Sequence, residues 1–441
     1  MQWLMVAISA ASSGWFAVAR TAEVGTTPVP VGAGGRGYVV VRLSPGGEVS
    51  AFPARCPHRA VPLAAATVTG GRLECPRHGW RFDADGRCVA APSLGPAGVP
   101  PPRADLPVPW AVEERHGWVW LAPDRTTAAV PARSAGLPRP EAVPPPQGPR
   151  GPVFGNLDPS LPAAWHPVAL SAELRPGGWL QVRLLGRTWT LRRDDAGLRV
   201  EPPAFAARER QGVIELAPEE PADVPLDVPE ATDRRFLSRW LAPRRTAAPA
   251  AVVADLLLDV ARLPFVHAAT TGAADHPEVP PYEVVRDPGG FTSVQEQWCD
   301  DPLDPEVALG GRPLRQRRRV TYAYRAPFRL RMRRDQLDSG STTTVLTLLQ
   351  PEDADSTRVL TRVLLSAGPG HPLPSRGQLA GAVAAEQQAL DADLAQLAGT
   401  GLAGLPLDRR DELHLPADRL GLAVRDALCD FRMAGRPRLA A

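Results

Sequence analysis

The chain has 441 residues, 44% of them hydrophobic, which allows several domains with their own cores and excludes a disordered polymer. Fifty basic residues, all arginine, against 48 acidic ones leave a net charge of +2, too little to recruit nucleic acid by a global field. No apolar run is long enough to span a membrane. The cysteine count, five, is odd and offers no disulfide framework, so a reducing cytoplasm is expected.

The opening stretch MQWLMVAISAASS is apolar but short and lacks a basic leader, so no signal peptide is expected. Short β-like runs follow at 38–43 (YVVVRL), 48–52 (EVSAF) and 116–122 (HGWVWLA). Proline crowds 92–108 and 123–152, and the second stretch reads as a semi-rigid linker.

Beyond the linker a weak repeat appears. Trp15, Val18, Ala19, Ala22 and Glu23 recur as Trp165, Val168, Ala169, Ala172 and Glu173. Gly117, Leu121, Ala122 and Pro123 recur as Gly212, Leu216, Ala217 and Pro218. The second copy is shorter, and what it lacks is the part of the first that carries Cys and His pairs. From about 245 the pattern predicts a helix at 248–262 and strands at 281–286, 291–298, 314–325, 343–350 and 358–365. Asp287-Pro288-Gly289-Gly290 is placed as a hairpin turn between the first two strands. Amphipathic helices are predicted over 376–398 and 418–432. The arginines at 315–319 read as a solvated strand face, and His116, His166 and His414 as structural residues, the last in a strand. The expected organisation is α+β: a β-domain at 14–123, a linker at 124–152, a second β-domain at 153–244, and an antiparallel sheet with helices at 245–441.

The densest chemistry lies in Cys56-Pro57-His58 and Cys75-Pro76-Arg77-His78, with 16 residues between the pairs. Each loop offers one thiolate and one imidazole. Two thiolates suit one ferric ion, and two neutral imidazoles ligate a second iron and raise its potential. A tetrahedral zinc could use the same four donors, but zinc fingers usually put both Cys on one element and both His on another.

The stretch CPHRAVPLAAATVTGGRLECPRHGWRFDADGRC resembles the cluster domain of Rieske non-haem-iron oxygenases, and the likeness covers residues 14–123. It implies a [2Fe–2S] cluster on Cys56, His58, Cys75 and His78. Respiratory Rieske proteins carry two further cysteines that form a disulfide between the loops. Val61 and Arg77 stand at those places here, so the oxygenase branch is the closer one. Taken with the repeat, the likeness makes 153–244 a duplicated Rieske-like domain that has lost its metal loops.

The remainder resembles the oxygenase catalytic domain more loosely. That family binds a mononuclear ferrous ion with two His and a carboxylate. Asp259 and His267 stand where its bridging Asp and second His ligand belong, and Glu386 where its carboxylate ligand belongs. Arg262, which cannot ligate a metal, stands where the first His belongs. Three arrangements fit these residues. Arg262 could fill the iron's place, paired with Asp259 and Glu386. Iron could sit on His267, Glu386 and a substitute such as His276 or His371. Or Asp259 and Arg262 could form a surface pair, with Glu386 partly exposed.

The resemblance implies an oxidoreductase reduced by a ferredoxin or flavin reductase, passing electrons through His78 or His58 and Asp259. Its hydrophobic substrate would lie against residues 263–266 and the C-terminal sheet. The alternative is an electron-transfer or ligand-binding protein without the mononuclear iron. The proline-rich linker suggests a cluster domain that swings within its own chain.

Overall fold

The computed structural model describes residues 14–132, 139–145, 148–267, 276–301, 304–368, 370–398 and 400–434. The apolar opening stretch therefore lies outside the described residues. The chain divides into two compact units. One holds the residues up to Gly148 together with Pro277–Val279 and Glu412–His414, and the other holds the rest.

In the first unit, Phe16–Arg20, Trp118–Ala122 and Ala111–Arg115 form one antiparallel sheet in that order, and Val29–Ala33, Arg36–Arg42 and Val49–Pro53 form another. The run Tyr38, Val39, Val40, Val41 is buried throughout, as expected of β-branched and aromatic side chains enclosed on both faces. Val18, Val31, Val40, Ala51, Val119 and Leu121 share the core between the sheets. His116, expected at a strand end, instead makes the hairpin turn with Gly117, both at positive φ. A third sheet of short strands, Thr67–Thr69, Arg72–Glu74, Arg81–Phe82 and Cys88–Ala90, carries the cluster loops.

The first part of the linker is anchored to this unit. Trp15 Nε1 donates to the Ala128 carbonyl (2.8 Å), Gly35 N donates to Glu141 Oε2 (3.3 Å), and Gly32 forms a β-bridge with Glu141. A Cβ on Gly32 would lie 2.3 Å from the Ala142 carbonyl oxygen, so only glycine permits that approach.

The second unit begins with a small β-assembly of similar topology. His166–Leu170, Val213–Ala217 and Ala206–Arg210 repeat the order of the first sheet, and Trp179–Leu184, Arg187–Asp194 and Gly197–Glu201 that of the second. Local detail repeats as well. The strand pairing shifts between Ala17 and Ala19, and again between Pro167 and Ala169. Thr21 N donates to Gly117 O (3.1 Å), and Ser171 N to Gly212 O (2.9 Å). Glu23 accepts from Arg20 N (2.9 Å), and Glu173 from Leu170 N (2.7 Å).

The rest of this unit is an eight-stranded antiparallel sheet. Its main path runs Leu237–Trp240, Ser356–Ser366, Thr342–Asp353, Arg329–Gln336, Arg315–Arg325, Gly290–Asp300 and Val285–Asp287, and Arg244–Thr246 also pairs with Ser356–Ser366. Asp287 pairs with Gly290 across the Pro288-Gly289 turn, as the sequence predicts. The expected strand at 281–286 is cut to Val285–Asp287, because Pro280 and Pro281 have no N–H to offer a ladder. Helices Arg376–Ala395 and Arg419–Ala434 match expectation. The expected helix at 248–262 ends at Leu257, and Asp259 is extended (φ −81°, ψ 96°) before a 3-10 turn at Val260–Arg262. His414 lies in an irregular segment, not a strand. None of the described helices is long and apolar enough to cross a membrane.

Candidate metal centre and adjoining cavity

The two cluster loops fold alike. Cys56 N donates to Val61 O (2.9 Å) and Ala60 N to Cys56 O (3.0 Å), while Cys75 N donates to Trp80 O (2.9 Å) and Gly79 N to Cys75 O (3.0 Å). Both turns need a left-handed residue, Ala60 at φ 50° and Gly79 at φ 63°. They bring all four expected ligands together. His58 Nδ1 and His78 Nδ1 stand 3.1 Å apart, and the Cys56 and Cys75 sulfurs lie close enough to interact. All four side chains are buried.

Among the described residues no three His, Cys, Asp or Glu side chains gather about one point. The donors come as a nitrogen pair and a sulfur pair, which fits two irons taking two protein ligands each. Two nitrogens 3.1 Å apart can both reach one metal at the usual distance of about 2 Å.

The support around the loops is built from buried side chains. Trp80 is fully buried and lies flat on His58, with ring centroids 4.7 Å apart and planes 7° from parallel. Arg59 Nη1 bonds Glu412 Oε2 (3.0 Å), and Leu413 N donates to Pro57 O (3.2 Å), so a segment more than 350 residues away braces the first loop. The interaction with Cys75 and burial push the Cys56 thiol well up. That same interaction, with the Arg77 backbone N–H and, to a lesser degree, the His58 and Arg77 charges, draws Cys75 down to about 7 against the effect of burial. Burial holds Cys88 up at about 12, so it is an inert thiol.

A second buried cluster lies in the second unit. Arg262 Nη2 donates to Asp393 Oδ2 (2.5 Å) and Nη1 to the Asp259 carbonyl (2.9 Å), while His267 Nε2 bonds Asp393 Oδ1 (2.7 Å). Asp259, Arg262, His267 and Asp393 are all less than a tenth exposed. This corrects the expected carboxylate. Glu386 pairs with Arg334, and Asp393, two helical turns later on the same helix, meets Arg262 and His267. Asp393 has the spacing of the apolar stripe, at i+3 from Leu390, and that spacing was the signal available in the sequence. Arg262 reaches the backbone of Asp259 rather than its carboxylate, and the pair is no surface feature. His276 and His371, the expected substitutes, are exposed.

Asp259, Arg262, His267 and Asp393 form part of the wall of a cavity of about 850 Å³ between one sheet face and helix Arg376–Ala395. Val320, Tyr322, Leu330, Met332 and Val345 supply its apolar floor. Of the expected residues 263–266, Leu263 lines it, and Pro264, Phe265 and Val266 do not. Burial raises the Tyr322 hydroxyl, while the positive charges of Arg262, Arg334 and Arg318 pull it back. The cavity is thus apolar along the sheet, and its wall also carries the paired charges Arg262–Asp393 and Arg334–Glu386.

Residues 14–107 match the family described as the Rieske [2Fe–2S] domain, and residues 246–434 match the vanillate O-demethylase oxygenase C-terminal domain. Among curated relatives, the 3-chlorobenzoate-3,4-dioxygenase oxygenase subunit of Comamonas testosteroni is 43% identical over 74 residues, 17% of each chain. Cholesterol 7-desaturase of Bombyx mori is 42% identical over 91 residues, 20% of each chain. The matched stretches thus span at most about a fifth of these relatives. Among solved structures, dicamba monooxygenase bound to 3,6-dichlorosalicylic acid aligns over 96% of this chain and 97% of its own. Its identity is 15% and its TM-score 0.41. Pseudomonas putida NdmA with caffeine aligns over 94% of each chain at 19% identity and a TM-score of 0.35.

Proposed function

Because this chain belongs to the Rieske non-haem-iron oxygenase family, we propose that it is a Rieske [2Fe–2S] oxidoreductase that acts on or binds a hydrophobic organic compound. Its electrons would come from an external ferredoxin or flavin reductase. The observation that carries the proposal is the pairing of buried donors, His58 with His78 at 3.1 Å and Cys56 with Cys75. When bound, the cluster supplies a one-electron carrier of higher potential than an all-cysteine one. The chain's own residues hold and tune it. Trp80 fixes the plane of His58, Glu412 braces the first loop through Arg59, and the buried Arg77 cation favours the more negative, reduced form. The apolar floor of the cavity supports a hydrophobic ligand, and Asp259, buried in its wall, is the residue proposed to pass the electron onward. The odd cysteine count, with two of the five proposed as cluster ligands, supports a cytoplasmic setting.

The same proposal takes residues 14–123 as the cluster domain, 124–152 as the linker, 153–244 as a duplicate without metal loops, and 245–441 as the oxygenase-like domain. Repetition of strand order, register shift and turn bonds in the two β-assemblies supports the duplication.

One observation favours the second reading, an electron-transfer or ligand-binding protein: the Arg262 guanidinium on Asp393. Oxygen uptake separates the two. A protein reduced by a ferredoxin–reductase pair and supplied with apolar ring compounds should consume dioxygen in step with hydroxylated or demethylated product. A cluster that cycles between redox states without coupled uptake for any ligand that binds would leave the second reading.

A further inference from the structure

The residues of the second centre do not fit a mononuclear iron as they stand. A ferrous ion would need the imidazole of His267 and an oxygen of Asp393 turned toward it. Here Asp393 Oδ1 is taken by His267 Nε2 and Oδ2 by Arg262 Nη2, so both oxygens are engaged by protein groups. The guanidinium cannot be the missing ligand, because it stays protonated and has no lone pair to give. It is also held from behind by the Asp259 carbonyl. Among the described residues no third His, Cys, Asp or Glu joins His267 and Asp393. An added divalent ion would lie beside a buried arginine, two cations facing one carboxylate in a poorly solvated site.

We propose that the Arg262 guanidinium permanently occupies the place of the mononuclear iron, paired with Asp393, so that no iron binds at this centre. The cavity wall then presents a fixed organic cation and a carboxylate-bound imidazole where a metal with open positions would otherwise face the ligand. This decides between the two readings of the proposed function in favour of the second, without a mononuclear iron, and rests on that function only for the two irons of the cluster.

The test adds ferrous ⁵⁷Fe anaerobically to the cluster-loaded protein, removes unbound metal, and reads iron per chain together with the Mössbauer spectrum. The wild-type protein should hold two irons and show no high-spin ferrous doublet. Arg262→His supplies a second imidazole and should take up a third iron with that doublet. Adding Asp393→Asn to Arg262→His should abolish it. A third, high-spin ferrous iron in the wild-type protein overturns the proposal. So does a folded Arg262→His protein that stays at two, because arginine would then not be what keeps iron out. If circular dichroism shows that Arg262→His does not fold, the wild-type count still decides. The cluster signal is read in the same samples, so loss of the cluster counts against the proposed function and the doublet alone counts against this inference.

Discussion

Arg262 and Asp393, 131 residues apart in sequence, meet through a 2.5 Å contact in which both side chains are less than a tenth exposed. A buried pair of this kind is costly to break from one side, because the surviving charge keeps its desolvation penalty without its partner. Asp393→Asn should therefore lower stability by about 3–5 kcal/mol in urea unfolding. Replacing Arg262 and Asp393 together with leucine should cost less than the sum of the single changes. Additive losses would mean the two groups are not coupled.

Trp80 lies on His58 with no measurable exposure. Trp80→Ala empties the volume behind a cluster ligand and should cost about 3–5 kcal/mol. The visible absorbance of the cluster should bleach at a lower temperature, and Trp80→Phe, which keeps a stacking ring, should recover much of the loss. Equal bleaching in all three proteins would show that the stack does not support the ligand.

The two cluster loops use different residues for the same backbone conformation, Ala60 at φ 50° and Gly79 at φ 63°. A side chain is disfavoured there by steric contact with the backbone. Ala60→Gly should be neutral or stabilising by up to about 1 kcal/mol. Gly79→Ala should destabilise by about 1–2 kcal/mol. Thermal melts of the two variants should move in opposite directions or, at the least, by clearly unequal amounts.

His166 is fully enclosed and bonded to the Leu161 carbonyl, and burial, helped by the charge of Arg329, pulls its pKa down to about 4. Below the ordinary value of about 6.5 the unfolded chain binds a proton that the folded imidazole refuses. Its contribution is therefore present above about 6.5 and lost as the pH falls toward about 4, by up to about 3 kcal/mol. His166→Gln should flatten the difference between urea midpoints at pH 7 and pH 4.5. An unchanged slope would place the acid sensitivity elsewhere.

The four proposed cluster ligands were legible as candidates because iron chemistry demands particular side chains at short range, and Cys-x-His with Cys-x-x-His satisfies that demand within two loops. The strand at Arg36–Arg42 was legible from its β-branched run. Other features depend on partners far away in sequence. The strand Arg329–Gln336 (RLRMRRDQ) has little intrinsic preference for a sheet, and its neighbours Arg315–Arg325 and Thr342–Asp353 hold it from both sides. Its Arg333 and Arg334 pair with Glu230 and Glu386. That pairing is also why Glu386 was a misleading candidate: its inward position serves an arginine on the sheet. Asp393 shares the spacing of the apolar stripe, but its contacts with Arg262 and His267, like that of Glu412 with Arg59, join residues far apart in sequence.

The most direct test is the electron paramagnetic resonance spectrum of the reduced, purified protein, with pulsed detection of nitrogen couplings. A rhombic spin-one-half signal coupled to two imidazole nitrogens, and lost in His58→Cys or His78→Cys, is the predicted result. A colourless protein, or one whose Cys56, His58, Cys75 and His78 hold zinc, would contradict the account.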